Sequence, residues 1–293
     1  MIQEIIKWDL SDYYTNENDP SIEKDIKDLE VLVEQFAQNV KGKIESPALT
    51  SNQLLKWYKD YEVILENLFN FETYSELLYR TNNNDDKIKS FHSKIGEFKV
   101  KIKEKILFFD LELNRISDSK FQEIIQSDDF KNYWHALKFN RSKKSHQLSE
   151  KEEQIILMKD ITGVSGFLKL YGEVKANFTF DFEVEGEIKK LTEAELFSFM
   201  YQQNKNLRQK ALQTMMSEYK KNEMVFTHIF NNILKDWNKE CKKRNYLEPI
   251  SKRNQENEVS DESVAVLGRV TTESYPIVEK YYNLKKKCLI LQN

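Results

Sequence analysis

Apolar residues recur at helical spacing from Ile22 as far as Leu113. Ile22, Ile26, Leu29, Leu32, Phe36 and Val40 form the first 3.6-residue stripe. It follows Asp19-Pro20, so Ser21 reads as its N-cap, with Lys24 at N3, and Gly42 reads as its stop. The second stripe begins near Ser51 and runs through Leu54, Tyr58, Tyr61, Leu65, Leu68, Phe71, Tyr74 and Leu78. The polar run from Thr81 to Asp86 breaks it. The third stripe, Ile88, Phe91, Ile95, Phe98, Ile102, Ile106, Phe109 and Leu113, is uninterrupted and has lysines on its other side. Each stripe buries one helix face and leaves the other to water. Three long amphipathic helices with short breaks between them should pack antiparallel.

Beyond Ser117 the pattern shortens. Phe121, Ile124 and Ile125 mark one helix, and Phe130, Tyr133, Trp134 and Leu137 another. Ser149-Glu150-Lys151-Glu152 is a capping box, in which the Ser hydroxyl takes an orphan N–H and the Glu reaches back. Ile155, Ile156 and Met158 then begin an apolar side. The period changes at Phe178, Phe180 and Phe182, which alternate with Thr179, Asp181 and Glu183. With the turn Glu185-Gly186 before Ile188, they predict a hairpin at about 176–190. Thr192 to Glu195 is a second capping box, after which helical spacing resumes through Leu196, Phe199 and Met200, then Leu212, Met215 and Met216, then Met224, Phe226, Ile229, Ile233 and Trp237. A last helical pattern covers Tyr275 to Leu291. Residues 1–20 read as an irregular lead-in with Trp8, Tyr13 and Tyr14. The expected fold is mostly α: a helical N-terminal domain over 1–190 with one small β-hairpin, then the cut-short start of a second helical unit over 191–293.

Composition narrows the classes. Seven Gly and four Pro are too few for a sandwich or barrel, and no glycine-rich phosphate loop is present. The net charge of −3 gives no electrostatic case for nucleic acid. The basic stretch from Lys235 to Arg253 is diluted by Asp236, Glu240 and Glu248, so it reads as a solvated face. Cys241 and Cys288 form no C-x-x-C pair and no disulfide framework, which points to the cytoplasm. The first eight residues lack the apolar core of a signal peptide, and runs such as Cys288 to Leu291 are too short to span a bilayer.

The chemistry-bearing residues are scattered. A zinc-peptidase helix needs two histidines at i and i+4, with a Glu after the first as general base. His92, His135, His146 and His228 offer no such spacing, and Ser93, Ala136, Gln147 and Ile229 follow them. No catalytic residue and no metal ligand is therefore assigned. His135 and His228 sit among apolar neighbours and read as packed core residues, and His146 reads as a loop residue. The pairs Asp85-Asp86, Asp128-Asp129 and Glu152-Glu153 read as solvated surface.

The order of local patterns resembles one family. Trp8-Asp9-Leu10-Ser11-Asp12-Tyr13-Tyr14 is similar to the opening of oligoendopeptidase F, a zinc metallopeptidase related to thimet oligopeptidase. His146 to Glu153 resembles the segment after that family's first helical block, and Phe178 to Ile188 falls where it has a hairpin. Phe230 to Asp236, continuing through Arg244, Tyr246, Pro249, Arg253 and Asn257, resembles an early catalytic-domain helix and the loop after it. Tyr275 to Val278 and Tyr281 to Lys285 resemble the next helix.

The resemblance implies the N-terminal portion of an oligopeptide-hydrolysing metalloendopeptidase, with 191–293 as the start of its catalytic domain. It also implies a helical body around an internal channel, and a zinc helix C-terminal to everything matched here. No cofactor is then expected in this chain, while zinc belongs to the complete family member. The expected partners are a separately encoded C-terminal half and oligopeptides, with no nucleic acid and no membrane. Arg244, Tyr246, Arg253 and Asn257 are the substrate-binding candidates, because an Arg-bearing loop can grip a carboxylate in a peptide cleft. A structural clasp within that loop is the competing role. The competing function is a free-standing, non-catalytic helical protein that binds peptides or partners.

Overall fold

The structure is a computed structural model that describes residues 8–83 and 85–288. The sequence patterns at Met1 to Lys7 and at Leu289, Ile290 and Leu291 lie outside the described residues. The packing separates two compact units, Met1–Asp236 and Trp237–Asn293.

The first unit opens with α1 (Pro20–Val40), α2 (Ser51–Thr81) and α3 (Asp86–Ile106). Asp19, not Ser21, caps α1: its carboxylate accepts from the Ser21 N–H, and Pro20 occupies the first helical position. Proline suits that place because its missing N–H would go unused there. Consecutive helices alternate in direction, which leaves α1 and α3 parallel. Lys94–Glu23, Lys101–Glu30 and Lys105–Glu34 join them at a constant offset of 71 residues, which only parallel helices in one register allow. These exposed pairs fix register more than they add stability.

The third stripe is not one helix. It is interrupted at Leu107, which keeps helical φ and ψ of −54° and −35°, and α4 (Phe108–Arg115) follows. Phe108, Phe109, Leu111, Glu112, Leu113 and Asn114 of α4 are all buried. A helix continuing α3 with one face to solvent could not bury adjacent positions in this way. α5 (Asp118–Gln126) follows, and α6 (Trp134–Ser142) packs against α4. Arg141 on α6 donates to the carbonyls of Leu113, Asn114 and Ile116, the orphan acceptors at the end of α4. The core joins Phe36, Tyr74, Phe109, Phe130 and their aliphatic neighbours. Each buried Phe ring contributes roughly 1.5–3 kcal/mol. The lead-in is pinned to this core: Tyr14 meets Phe71 and Tyr74 at ring distances of 6.1 and 5.1 Å.

α7 (Glu150–Asp160) begins at the capping box of Ser149 and Glu152. Its Ile155 and Met158 are exposed, so the apolar side expected there does not enter a core. α8 (Val164–Ala176) likewise has no buried residue. The hairpin pairs β1 (Phe180–Val184) with β2 (Glu187–Leu191), Phe180 opposite Leu191 and Phe182 opposite Lys189. Glu185 and Gly186 both have positive φ, 53° and 87°, the backbone that a two-residue hairpin turn requires. Phe178, Phe180 and Phe182 face a second apolar cluster with Leu196 of α9 (Glu193–Ser198) and Ala211 and Met215 of α10 (Lys205–Lys221). Leu212 and Met216 face solvent instead. Thr192 and Glu195 form the second capping box.

α11 (Glu223–Lys243) runs across the division between the units. The second unit continues with α12 (Pro249–Glu256), α13 (Asp261–Glu273) and α14 (Tyr275–Cys288). The architecture is mostly α, and the hairpin is the only sheet among the described residues. No helix among them is long and apolar enough to cross a membrane.

Candidate functional site

The four substrate-binding candidates lie in the second unit, where α11 ends and α12 begins. α11 stops on Asn245, whose φ of 60° is left-handed. Tyr246 N–H bonds back to the Cys241 carbonyl and Asn245 N–H to the Lys242 carbonyl, which closes the last turn. Asn tolerates this backbone because it bonds locally. α12 ends in the same way: Glu258 has φ 55°, and Val259 and Glu258 bond back to Asn254 and Gln255.

Inside this double turn the side chains form a clasp. Glu240 Oε1 accepts from Arg244 Nε at 2.6 Å and from Lys252 Nζ at 2.9 Å. Burial works against the Glu240 charge, but the hydrogen bonds from Lys252 and Arg244 outweigh it and hold the carboxyl below its usual range. Lys252 Nζ also sits 4.3 Å above the Trp237 ring, a cation–π contact. Trp237 Nε1 donates to the Pro249 carbonyl at 2.9 Å, so the indole ties α11 to the first turn of α12. The Tyr246 hydroxyl donates to Gln255 Oε1 at 2.6 Å, and burial pushes its pKa up. Buried Asn254 donates to Asp261 Oδ1 and Ser251 to Asp261 Oδ2, both at 2.7 Å, which locks α12 to the start of α13.

The four candidates therefore separate. Arg244 and Tyr246 point into the clasp and hold the loop. Arg253 is exposed and pairs with Glu256 at 3.3 Å. Asn257 is exposed and closes α12 through its backbone, bonding to the Arg253 carbonyl. Trp237, Glu240, Lys252, Asn254 and Asp261 were not among the candidates that the sequence offered for this loop. Only Glu240 and Arg244 carried a local signal, their i,i+4 spacing.

The histidines stay apart. His92 Nε2 lies 3.0 Å from Glu76 Oε2, and its ring stacks on Tyr79 at 4.6 Å. His135 and His228 are exposed, which corrects their reading as core residues. On α6 Leu137 is the buried residue and Trp134 is itself half exposed, so the neighbours of His135 are not a core. On α11 the neighbouring Ile229 is buried, and His228 projects about 100° away from it. His146 lies in a short 3-10 turn, Lys144–His146. Among the described residues no three His, Cys, Asp or Glu side chains are grouped to hold a metal ion. The described residues do not fit a zinc site.

Residues 112–180 match the family model of Oligopeptidase F. The group B oligopeptidase PepB of Streptococcus agalactiae is 23% identical over all of this chain and 48% of its own length. An oligoendopeptidase F homolog of Borreliella burgdorferi is 25% identical over 98% of this chain and 47% of its own. The crystal structure of oligoendopeptidase-F from Enterococcus faecium superposes with a TM-score of 0.80 at 17% identity, covering 93% of this chain and 52% of that one. The fold is therefore shared, and the resemblance to oligoendopeptidase F extends over nearly the whole chain. The chain spans about half the length of the relatives it matches.

Proposed function

We propose that this chain is the N-terminal portion of an oligoendopeptidase F-like zinc metalloendopeptidase acting on oligopeptides, inactive until a C-terminal half completes it. One observation carries the reading: nearly the full length of this chain matches oligopeptidases about twice as long. In this reading residues 1–190 are the N-terminal domain, and 191–293 begin the catalytic domain. The missing half comes either as a continuation of the same chain or as a separate polypeptide. It brings the His-Glu-x-x-His helix, and with it a zinc that activates water for amide hydrolysis.

The residues here have supporting roles. Arg244 and Tyr246 brace the loop from α11 to α12. Arg253 and Asn257, which face solvent, are the groups left to meet a peptide. A cytoplasmic working place is part of the reading, and the free thiols of Cys241 and Cys288 suit a reducing compartment.

The test uses a quenched fluorescent oligopeptide with added zinc. The purified chain alone is expected to give no turnover. The chain produced together with a polypeptide from the downstream coding sequence, carrying His-Glu-x-x-His, is expected to give chelator-sensitive turnover. Hydrolysis by the chain alone would overturn the reading. A downstream sequence without that motif would also overturn it and leave a free-standing helical binding protein.

A further inference from the structure

The least packed part of the described fold is its last two helices. α13 and α14 meet at Ser274, whose N–H still bonds to the Val270 and Thr271 carbonyls. Pro276, in the first turn of α14, has no N–H and crowds the carbonyl four residues back, so the hydrogen-bond ladder breaks there. The result is a helical arm over 261–288, interrupted at Ser274. Every residue of it except Val264 and Ser274 is exposed. Helices draw most of their stability from packing an apolar face, and this arm packs almost none.

That face exists. Ile277, Tyr281, Leu284 and Cys288 follow spacings of 4, 3 and 4, within about 40° of one line along α14. Ile277 is 68% exposed, Tyr281 58% and Leu284 60%. Leu267 and Val270 of α13 are exposed as well. A contiguous apolar surface of this kind marks an interaction site. Its surroundings are basic: α14 carries Lys280, Lys285, Lys286 and Lys287 against the single acid Glu279.

The occupant follows from the chain's relatives. About half of each matched oligopeptidase lies outside the match, and so does about half of the E. faecium chain that shares this fold. Resting on the proposed function above, we propose that the stripe Ile277–Tyr281–Leu284–Cys288 is the ridge on which the C-terminal half docks. The surface that receives it is an apolar groove with carboxylates along its rim. A second copy of this chain fits less well, because two such arms side by side set lysine-rich flanks together.

The stripe contains its own reporter. Cys288 is exposed on it, whereas Cys241 is buried. The experiment co-expresses the chain, or its Ile277→Glu/Leu284→Glu variant, with the downstream His-Glu-x-x-His polypeptide. The wild type is expected to purify as an equimolar complex, with Cys288 alkylated at least tenfold more slowly than in the chain alone. The variant is expected to lose at least tenfold in complex yield and in peptide turnover, with unchanged helicity and melting of the chain alone. A variant that still assembles and turns over peptide would overturn the docking ridge and leave the proposed function intact. A wild-type chain that neither binds nor activates that polypeptide would overturn both. Self-association abolished by the variant, without any complex, would assign the ridge to a second copy and overturn the proposal.

Discussion

Asp110 joins three helices through one carboxylate. It lies on α4, and accepts from the Tyr61 hydroxyl of α2 at 3.1 Å and from Asn140 Nδ2 of α6 at 2.7 Å. Burial raises its pKa, and the hydrogen bonds from Tyr61 and Asn140, with the charge of Lys143, offset this only in part. A carboxyl whose pKa is raised on folding stabilises the fold while protonated. That contribution is complete below its unfolded pKa and is lost as pH rises through the folded value. Asp110→Asn removes this dependence. The urea midpoint of the wild type should therefore gain on that of the variant as pH falls from neutral toward 4. A difference independent of pH, or one that grows as pH rises, would contradict the assignment. Nothing in the local pattern marked Asp110, or buried Glu112, which accepts from the Gly42 N–H at 2.8 Å. Their partners stand 30 to 70 residues away in sequence, and a hydrophobic period registers only which face a residue takes. His135 and His228 failed for a related reason: apolar neighbours in sequence are not neighbours in a core.

Local chemistry made the elements legible where it was sufficient. Both capping boxes, the Phe178–Phe180–Phe182 alternation and the Glu185-Gly186 turn need only neighbouring residues, and all appear in the structure. The interruption at Leu107 has no such local mark in the sequence, where the apolar spacing runs on unbroken. The exposed Ile155 and Met158 of α7 show the converse, apolar residues at helical spacing that reach no core. α14 takes this furthest, and its stability should show it. Hydrogen exchange over 276–288 in the isolated chain should be fast, near that of an unsupported helix. Exchange over Ile88 to Ile106 of α3, whose apolar positions are buried, should be slow. Equal protection of the two segments in a monomer would mean that α14 needs no partner.

At the scale of the molecule, the order of the patterns carried more than any one of them. Trp8 to Tyr14, the segment around His146, the hairpin and the loop from Arg244 to Asn257 together resemble oligoendopeptidase F, and the match over nearly the whole chain and the shared fold agree with that resemblance. The candidate site was legible only in outline. Arg244 and Tyr246 stood out by type, and Glu240 pairs with Arg244 locally, yet Lys252 and Gln255, which bond Glu240 and Tyr246, become partners only when α12 folds back toward α11. The His-Glu-x-x-His spacing does not occur in this sequence, since no two histidines stand four residues apart. Metal analysis after exhaustive dialysis addresses this division of labour most directly. The purified chain should retain no stoichiometric zinc, and its complex with the His-Glu-x-x-His polypeptide should retain one zinc per complex. One tightly held zinc per molecule of the chain alone would contradict it, and would mean that distant residues of this half assemble a metal site of their own.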